Sequence, residues 1–127
     1  MTYEEKTISS EMIYEGAILN LRKDKVYVKG DNVSYREIVE HQGGVAIAAV
    51  TDAHKMLMVK QYRKAAENVV LEVPAGKRES GEDPLFTAMR ELQEETGYSA
   101  KKYEHLSRFI PPSAIPQRSS TSLWPPA

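Results

Sequence analysis

Glu91, Glu94 and Glu95 stand at i, i+3 and i+4 in a stretch that otherwise reads as helix, "PLFTAMRELQEET". At 100° per residue the three share one face, and like charges at that spacing repel. They also sit in the C-terminal half of the segment, where the helix dipole disfavours anions. Local rules broken this often within five residues mark a place where function competes with stability. A divalent cation resolves the conflict. Mg²⁺ takes hard oxygen ligands, keeps several waters and is commonly shared between a few carboxylates and phosphate oxygens. A solvated acidic face, supported by Arg90 and Glu94 at i, i+4, accounts for the helix equally well. The helix alone leaves both readings open.

The elements around it must position these groups. Asp83 is an N-cap residue, Pro84 suits the first helical position and Gly97 suits the C′ position. The expected apolar face is Leu85, Ala88, Met89 and Leu92. Upstream, "GVAIAAVT" is a continuous apolar run, expected of a strand buried on both faces. "DAHK" reads as a turn, and "MLMVKQYR" as a strand that forms a hairpin with the first. "NVVLEVPAG" is a third strand, stopped by Pro74 and Gly76, and "KRESGE" is a loop leading into the helix. Residues 1–42 are polar and strand-like, with too little apolar mass to stand alone, so they require another surface. Strands with a helix packed on them give a mixed α/β layer architecture.

Composition narrows the function classes. The 127 residues suffice for one domain with a modest core, and 41% hydrophobic with 28% charged residues is ordinary for a globular chain. A net charge of −1 gives no global attraction to nucleic acid or an anionic membrane. Without Cys there are no disulfides, no Cys-ligated zinc and no thiol catalysis. His41, His54 and His105 have no metal-ligand spacing. The acidic start "MTYEEKTISSEMIYEG" lacks the apolar core of a signal peptide, and no run reaches membrane-spanning length. A cytoplasmic protein is expected.

Spacing decides between the two readings of the helix. In "GKRESGEDPLFTAMRELQEETGY", Gly76 is followed by five residues and Glu82. Seven more lead to Arg90-Glu91-Leu92, then one residue, Glu94-Glu95, one residue and Gly97. This resembles the Nudix box, G-x5-E-x7-R-E-U-x-E-E-x-G-U, at every fixed residue, with Tyr98 at the final apolar position as the one departure. A full match over that length is far more specific than a short motif.

The resemblance implies a Nudix α/β/α sandwich around a mixed sheet and a hydrolase acting on nucleoside diphosphates with Mg²⁺ or Mn²⁺. By motif position it implies metal ligands at Glu91, Glu94 and Glu95, with Ala75 offering its backbone carbonyl. Glu94, Glu95 and Arg90 would be the catalytic group, Arg90 orienting the carboxylates. Gly76, Glu82 and Gly97 would be the structural residues of the box. "REIVEHQGGVAIAAV", "MVKQYRKAAENVVLEVPAGK" and "RELQEETGYSAKK" together look like the bacterial ADP-ribose pyrophosphatase branch. That branch implies hydrolysis of ADP-ribose to AMP and ribose 5-phosphate, with Arg63 on a substrate phosphate and Glu72 near the site. It also implies a homodimer built through the N-terminal strands. Residue type alone also allows Arg63 to be a surface cation and Glu72 to face solvent by alternation.

The resemblance divides the chain into an N-terminal β subdomain (1–42), a partial Nudix domain (43–109) and a non-family tail (110–127), expected to be disordered or out of frame. Such enzymes supply a catalytic Glu from a loop well past the box, and no Asp or Glu follows Glu104. Five of the residues from 111 to 127 are Pro, which a central strand does not accept. One inserted nucleotide after the Phe109 codon admits a frame reading F-Y-T-S-V-G-Y-S-A-E-I-L-Y-L-F-V, which looks like the family continuation. The expectation is therefore a fold incomplete at the C-terminus and frameshifted after about residue 109. The alternatives to an enzyme are an inactive truncated product lacking the loop Glu, or a non-catalytic nucleotide-binding Nudix module. The intact Glu91, Glu94 and Glu95 weigh against the last.

Overall fold

The computed structural model describes residues 4–109 and 120–124. These divide into two compact units, residues 4–42 and residues 43–109 with 120–124.

The first unit is an antiparallel meander of three ten-residue strands, β1 (Lys6–Glu15), β2 (Leu19–Val28) and β3 (Asn32–His41), in the order β1-β2-β3. β1 is exposed along its whole length, while β2 carries the unit's buried residues Asp24 and Val26. A buried carboxylate needs a partner. Arg22 supplies it with two bonds, Nε to Oδ1 at 2.8 Å and Nη2 to Oδ2 at 3.0 Å, and also pairs with Glu40 of β3. The Arg22 guanidinium holds the Asp24 carboxyl below the usual carboxylate range.

The second unit is built on β4 (Gly44–Ile47). β4 pairs antiparallel with β7 (Ala75–Lys77) on one edge and parallel with β9 (Ser120–Trp124) on the other. β8 (Glu104–Phe109) then pairs antiparallel with β9, completing a mixed sheet of order β7-β4-β9-β8. Helix α1 (Pro84–Thr96) packs on this sheet, and Val45, Ile47, Ala49, Ala88 and Leu92 form the core. β5 (Val59–Arg63) and β6 (Asn68–Glu72) form a separate antiparallel hairpin, closed by a 3₁₀ turn at Lys64–Ala66.

Several expectations need correction. "GVAIAAVT" and "MLMVKQYR" begin a hairpin, with Leu57 N–H donating to Ala49 at 2.8 Å and a bridge between Val50 and Met56. They do not continue as one. Both edges of β4 are taken, so residues 59–63 pair with β6 instead. The third strand stops ahead of Pro74, as expected, but Gly76 is not a stop. The Pro74 carbonyl accepts from Ile47 N–H at 2.8 Å, and Ala75-Gly76-Lys77 resume as the edge strand β7. β4 alternates, with Val45 and Ile47 buried beneath α1 and Ala46 half-buried. Among the described residues there is one α-helix, so one helical layer of the expected sandwich is seen.

Part of the segment after residue 109 is described. Ser120–Trp124 lies between Pro116 and Pro125, in a Pro-free window, and forms a central strand of the mixed sheet. A Pro-free window is what a ladder requires. The remainder of the expected tail, 110–119 and 125–127, lies outside the described residues.

Candidate metal centre

The helix that carries the carboxylates is fixed locally at both ends. Asp83 Oδ1 accepts from Leu85 N–H at 2.9 Å, and Pro84 occupies the first turn. Gly97 closes the helix at φ 75°, with its N–H on Gln93 O at 2.8 Å. That left-handed position favours Gly because other residues meet a Cβ clash there. The inward face is Thr87, Ala88 and Leu92, whereas Leu85 and Met89, expected to be buried, are exposed. The reason is that Glu91 takes the inward position that an apolar residue would otherwise fill. Its side chain is 13% exposed and lies against Gly76 of β7. A Cβ on Gly76 would overlap the Glu91 carboxylate, so only Gly leaves room for it.

Arg90 is the hub of the cluster. Its Nε and Nη2 donate to the two Glu82 oxygens at 3.0 and 3.1 Å. Its Nη1 donates to Glu91 at 2.8 Å and to Glu94 at 3.2 Å, and Nη2 also reaches Lys77 O at 3.2 Å. Glu82, 8% exposed, additionally accepts from Thr87 Oγ1 at 2.7 Å and Glu79 N–H at 3.0 Å. The Arg90 guanidinium first, then these two donors, lower its pKa to about 2. Glu82 in turn raises the Arg90 pKa, with Glu91 contributing. Arg78 donates twice to the Glu82 carbonyl, at 3.2 and 2.7 Å, which fixes the loop.

Glu95 is held differently. Its Oε1 accepts from Gln61 Nε2 of β5 at 2.9 Å, and its Oε2 from Ala75 N–H of β7 at 3.1 Å. Two residues away from Gln61 on the same face of β5, Arg63 makes a bidentate pair with Glu72, Nε to Oε1 at 2.7 Å and Nη2 to Oε2 at 2.5 Å. The pair raises the Arg63 pKa and lowers that of Glu72, and Glu95 adds to the field on Arg63.

The structure thus gathers Arg63, Glu72, Ala75, Gly76, Glu82, Arg90, Glu91, Glu94 and Glu95 around one end of the sheet and one helix face, with Gly97 as the helix terminator. Gln61, Arg78 and Thr87 were not singled out from sequence. For Gln61 the available signal was its i, i+2 relation to Arg63; the other two carry none. Three carboxylates, Glu82, Glu91 and Glu94, share the guanidinium of Arg90, an excess of two negative charges, and Glu95 one turn along the helix is held by Gln61 and Ala75 instead. Each of Glu91, Glu94 and Glu95 is engaged by a donor within the protein. Among the described residues no three acidic or histidine side chains converge on one point as a finished cation site. The donor set is nonetheless all carboxylate oxygen, the chemistry a hard divalent ion requires.

A model of the NUDIX domain matches residues 40–122, well over half of the chain. The chain belongs to the NUDIX family. Over 106 residues it is 51% identical to an ADP-ribose pyrophosphatase of Bacillus subtilis, covering 84% of this chain and 57% of that protein. Over 107 residues it is 50% identical to a methanol dehydrogenase activator of Bacillus methanolicus, covering 84% of this chain and 58% of that protein. An ADP-ribose pyrophosphatase of Mycobacterium tuberculosis is 45% identical over 102 residues, 80% of this chain and 49% of the relative. The chain therefore spans about half the length of the curated relatives it matches. The crystal structure of an ADP compounds hydrolase superposes with a TM-score of 0.83 at 18% identity, covering 98% of this chain and 68% of that one. At that identity the likeness concerns the fold. The Nudix match ends at Ser122, within β9. No described helix is long and apolar enough to cross a membrane.

Proposed function

We propose that the chain is built to hydrolyse the pyrophosphate bond of ADP-ribose or a related nucleotide sugar, giving AMP and ribose 5-phosphate, in the cytoplasm and with Mg²⁺ or Mn²⁺. The observation that carries the reading is the charge imbalance on α1. Glu91 and Glu94 of the helix and Glu82 surround one arginine, Glu95 stands beside them without an arginine bond, and a Gly cradle admits Glu91 to the sheet. Such an arrangement costs stability and gains from a bound cation. The names of the 45–51% identical pyrophosphatases supply the substrate class.

Glu91, Glu94 and Glu95, with the Ala75 carbonyl, would hold the metal. When bound it neutralises pyrophosphate charge, lowers the pKa of water and stabilises the leaving phosphate. Arg90 keeps the carboxylates aimed and, through Glu82, ties the helix to the loop before it. Arg63 takes a substrate phosphate oxygen, an exchange that its partner Glu72 permits because the pair is partly exposed to solvent. Glu94, 59% exposed, is the cluster carboxylate most open to a water that must lose a proton. β1–β3, with a wholly exposed β1, would provide the surface of a homodimer.

A second reading is a chain that binds metal and nucleotide without turnover. It is favoured by the lack of any Asp or Glu after Glu104 to serve as a loop base. Formation of AMP from ADP-ribose with Mg²⁺, lost in Glu95→Gln, supports the enzyme. Mn²⁺ and nucleotide binding without AMP formation supports the second reading. Neither binding nor turnover refutes both.

A further inference from the structure

We infer that Gln61 is a positioning residue for Glu95, holding the carboxylate in direction without cancelling its charge. The inference rests on the metal-binding reading above and adds a residue that the box does not contain. Glu91 and Glu94 are both bonded to the cationic Arg90, which orients them and also neutralises them. Among the described residues Glu95 takes its hydrogen bonds from neutral donors, the Gln61 amide at 2.9 Å and the Ala75 N–H at 3.1 Å, one on each oxygen, and Arg63 acts on it through its field alone. Each carboxylate oxygen has two lone pairs, so one on each remains for a cation. A lysine in place of Gln61 would remove the charge that the cation needs. A glutamate there would repel it, and an apolar residue would leave the carboxylate free to rotate.

Gln61 comes from a hairpin that does not belong to the mixed sheet. Its bond to Glu95 therefore joins α1 to the strand that also presents Arg63. Alternation puts Gln61 and Arg63 on the same face of β5. One strand thus orients a metal carboxylate and carries the phosphate-binding cation, so the two are set relative to each other by a two-residue step.

Mn²⁺ titration of the full chain, read by the EPR signal of free Mn²⁺, tests this without requiring turnover. Gln61→Met keeps the side-chain length and removes the donor. It is expected to weaken Mn²⁺ binding about tenfold, the lower end of what outer partners of metal ligands contribute. Lys60→Met, on the opposite face of β5, is expected to leave affinity unchanged. In a Glu95→Gln background, Gln61→Met is expected to cause no further loss, because its action passes through Glu95. Equal affinity of Gln61→Met and the unmodified chain overturns the inference while leaving the metal reading intact. The same tenfold loss in the Glu95→Gln background also overturns it, since a general structural role would be additive. An unmodified chain that does not bind Mn²⁺ overturns the metal reading and the inference with it.

Discussion

Arg22 and Arg90 each gather more than one carboxylate, and they do so to different ends. In the N-terminal sheet, Arg22 faces Asp24 and Glu40, one cation to two anions, with the buried Asp24 held by two bonds. In the Nudix unit, Arg90 faces Glu82, Glu91 and Glu94, and Glu95 stands beside them with neutral hydrogen-bond donors. The first arrangement is close to self-sufficient, since the buried charge has its partner and nothing else is needed. The second is short of positive charge by several units. A paired buried carboxylate therefore marks architecture, and an under-neutralised cluster on a rigid helix marks a place for a ligand.

The largest effect that tests this contrast is Arg22→Met. It strands Asp24, which is 4% exposed, and is expected to lower unfolding free energy by about 3 kcal/mol in a urea titration. Mn²⁺ affinity should stay the same. A change in Mn²⁺ affinity as large as that measured in parallel for Glu95→Gln would show that the two clusters are not separate in role.

Next is Gly76→Ala. The new methyl meets the Glu91 carboxylate, and either the strand or the carboxylate must move. A loss of about 2 kcal/mol is expected from overpacking, measured by thermal melt at fixed pH. Mn²⁺ binding should weaken in the same variant because Glu91 loses its cradle. In the double variant Gly76→Ala, Glu91→Ala the clash is gone, and most of the stability should return. No recovery would mean that Gly76 serves its own backbone rather than Glu91.

How much of this was legible in the sequence depends on how local each feature is. The helix ends at Asp83, Pro84 and Gly97 could be read directly, because capping is settled within a few residues. The box could be read because its spacing is fixed by one helix and one loop. Periodicity assigns Leu85 and Met89 to the inward face of α1 and does not foresee that Glu91 and Thr87 face inward instead. The partner of residues 59–63 was misjudged because pairing is a competition for edges, and β7 and β9 occupy both edges of β4. The pairing of Ser120–Trp124 is equally non-local, with β4 on one side and β8 on the other. The density of prolines around it hides the Pro-free window between Pro116 and Pro125. Gln61 and Arg78 act over long or irregular paths that no period encodes.

pH sharpens the contrast within the Nudix unit. The Glu82 pKa lies at about 2, depressed from 4.5. A depressed carboxylate contributes stability that is fully present above its unfolded pKa and is lost as pH falls through the folded value. Stability should therefore decline between about pH 4.5 and pH 2, with Glu82 as one cause. In Glu82→Gln the decline over that window should be shallower than in the unmodified chain, by urea titrations at several pH values. An unchanged slope would mean that Arg90 does not depend on the Glu82 charge.

The smallest effect carries the most direct statement of the comparison, because it concerns the sign of one charge removal. Glu94→Gln deletes a carboxylate that repels Glu91 at i−3 and opposes the helix dipole near the C-terminus. It also loses a pair with Arg90 at 3.2 Å, but that pair has its cation N-terminal to its anion, the weaker orientation. Without metal the balance is expected to favour the variant by about 0.3 kcal/mol. Asp24→Asn, the same chemical change in the N-terminal sheet, is expected to destabilise, since it leaves Arg22 without its buried partner. With saturating Mn²⁺ the sign for Glu94→Gln should reverse, because the unmodified chain then gains binding energy that the variant forgoes. Paired thermal melts with and without Mn²⁺ measure both signs. If neutralising Glu94 destabilises the metal-free chain as neutralising Asp24 does, the helix carboxylates are structural after all, and the distinction between the two arginine clusters fails.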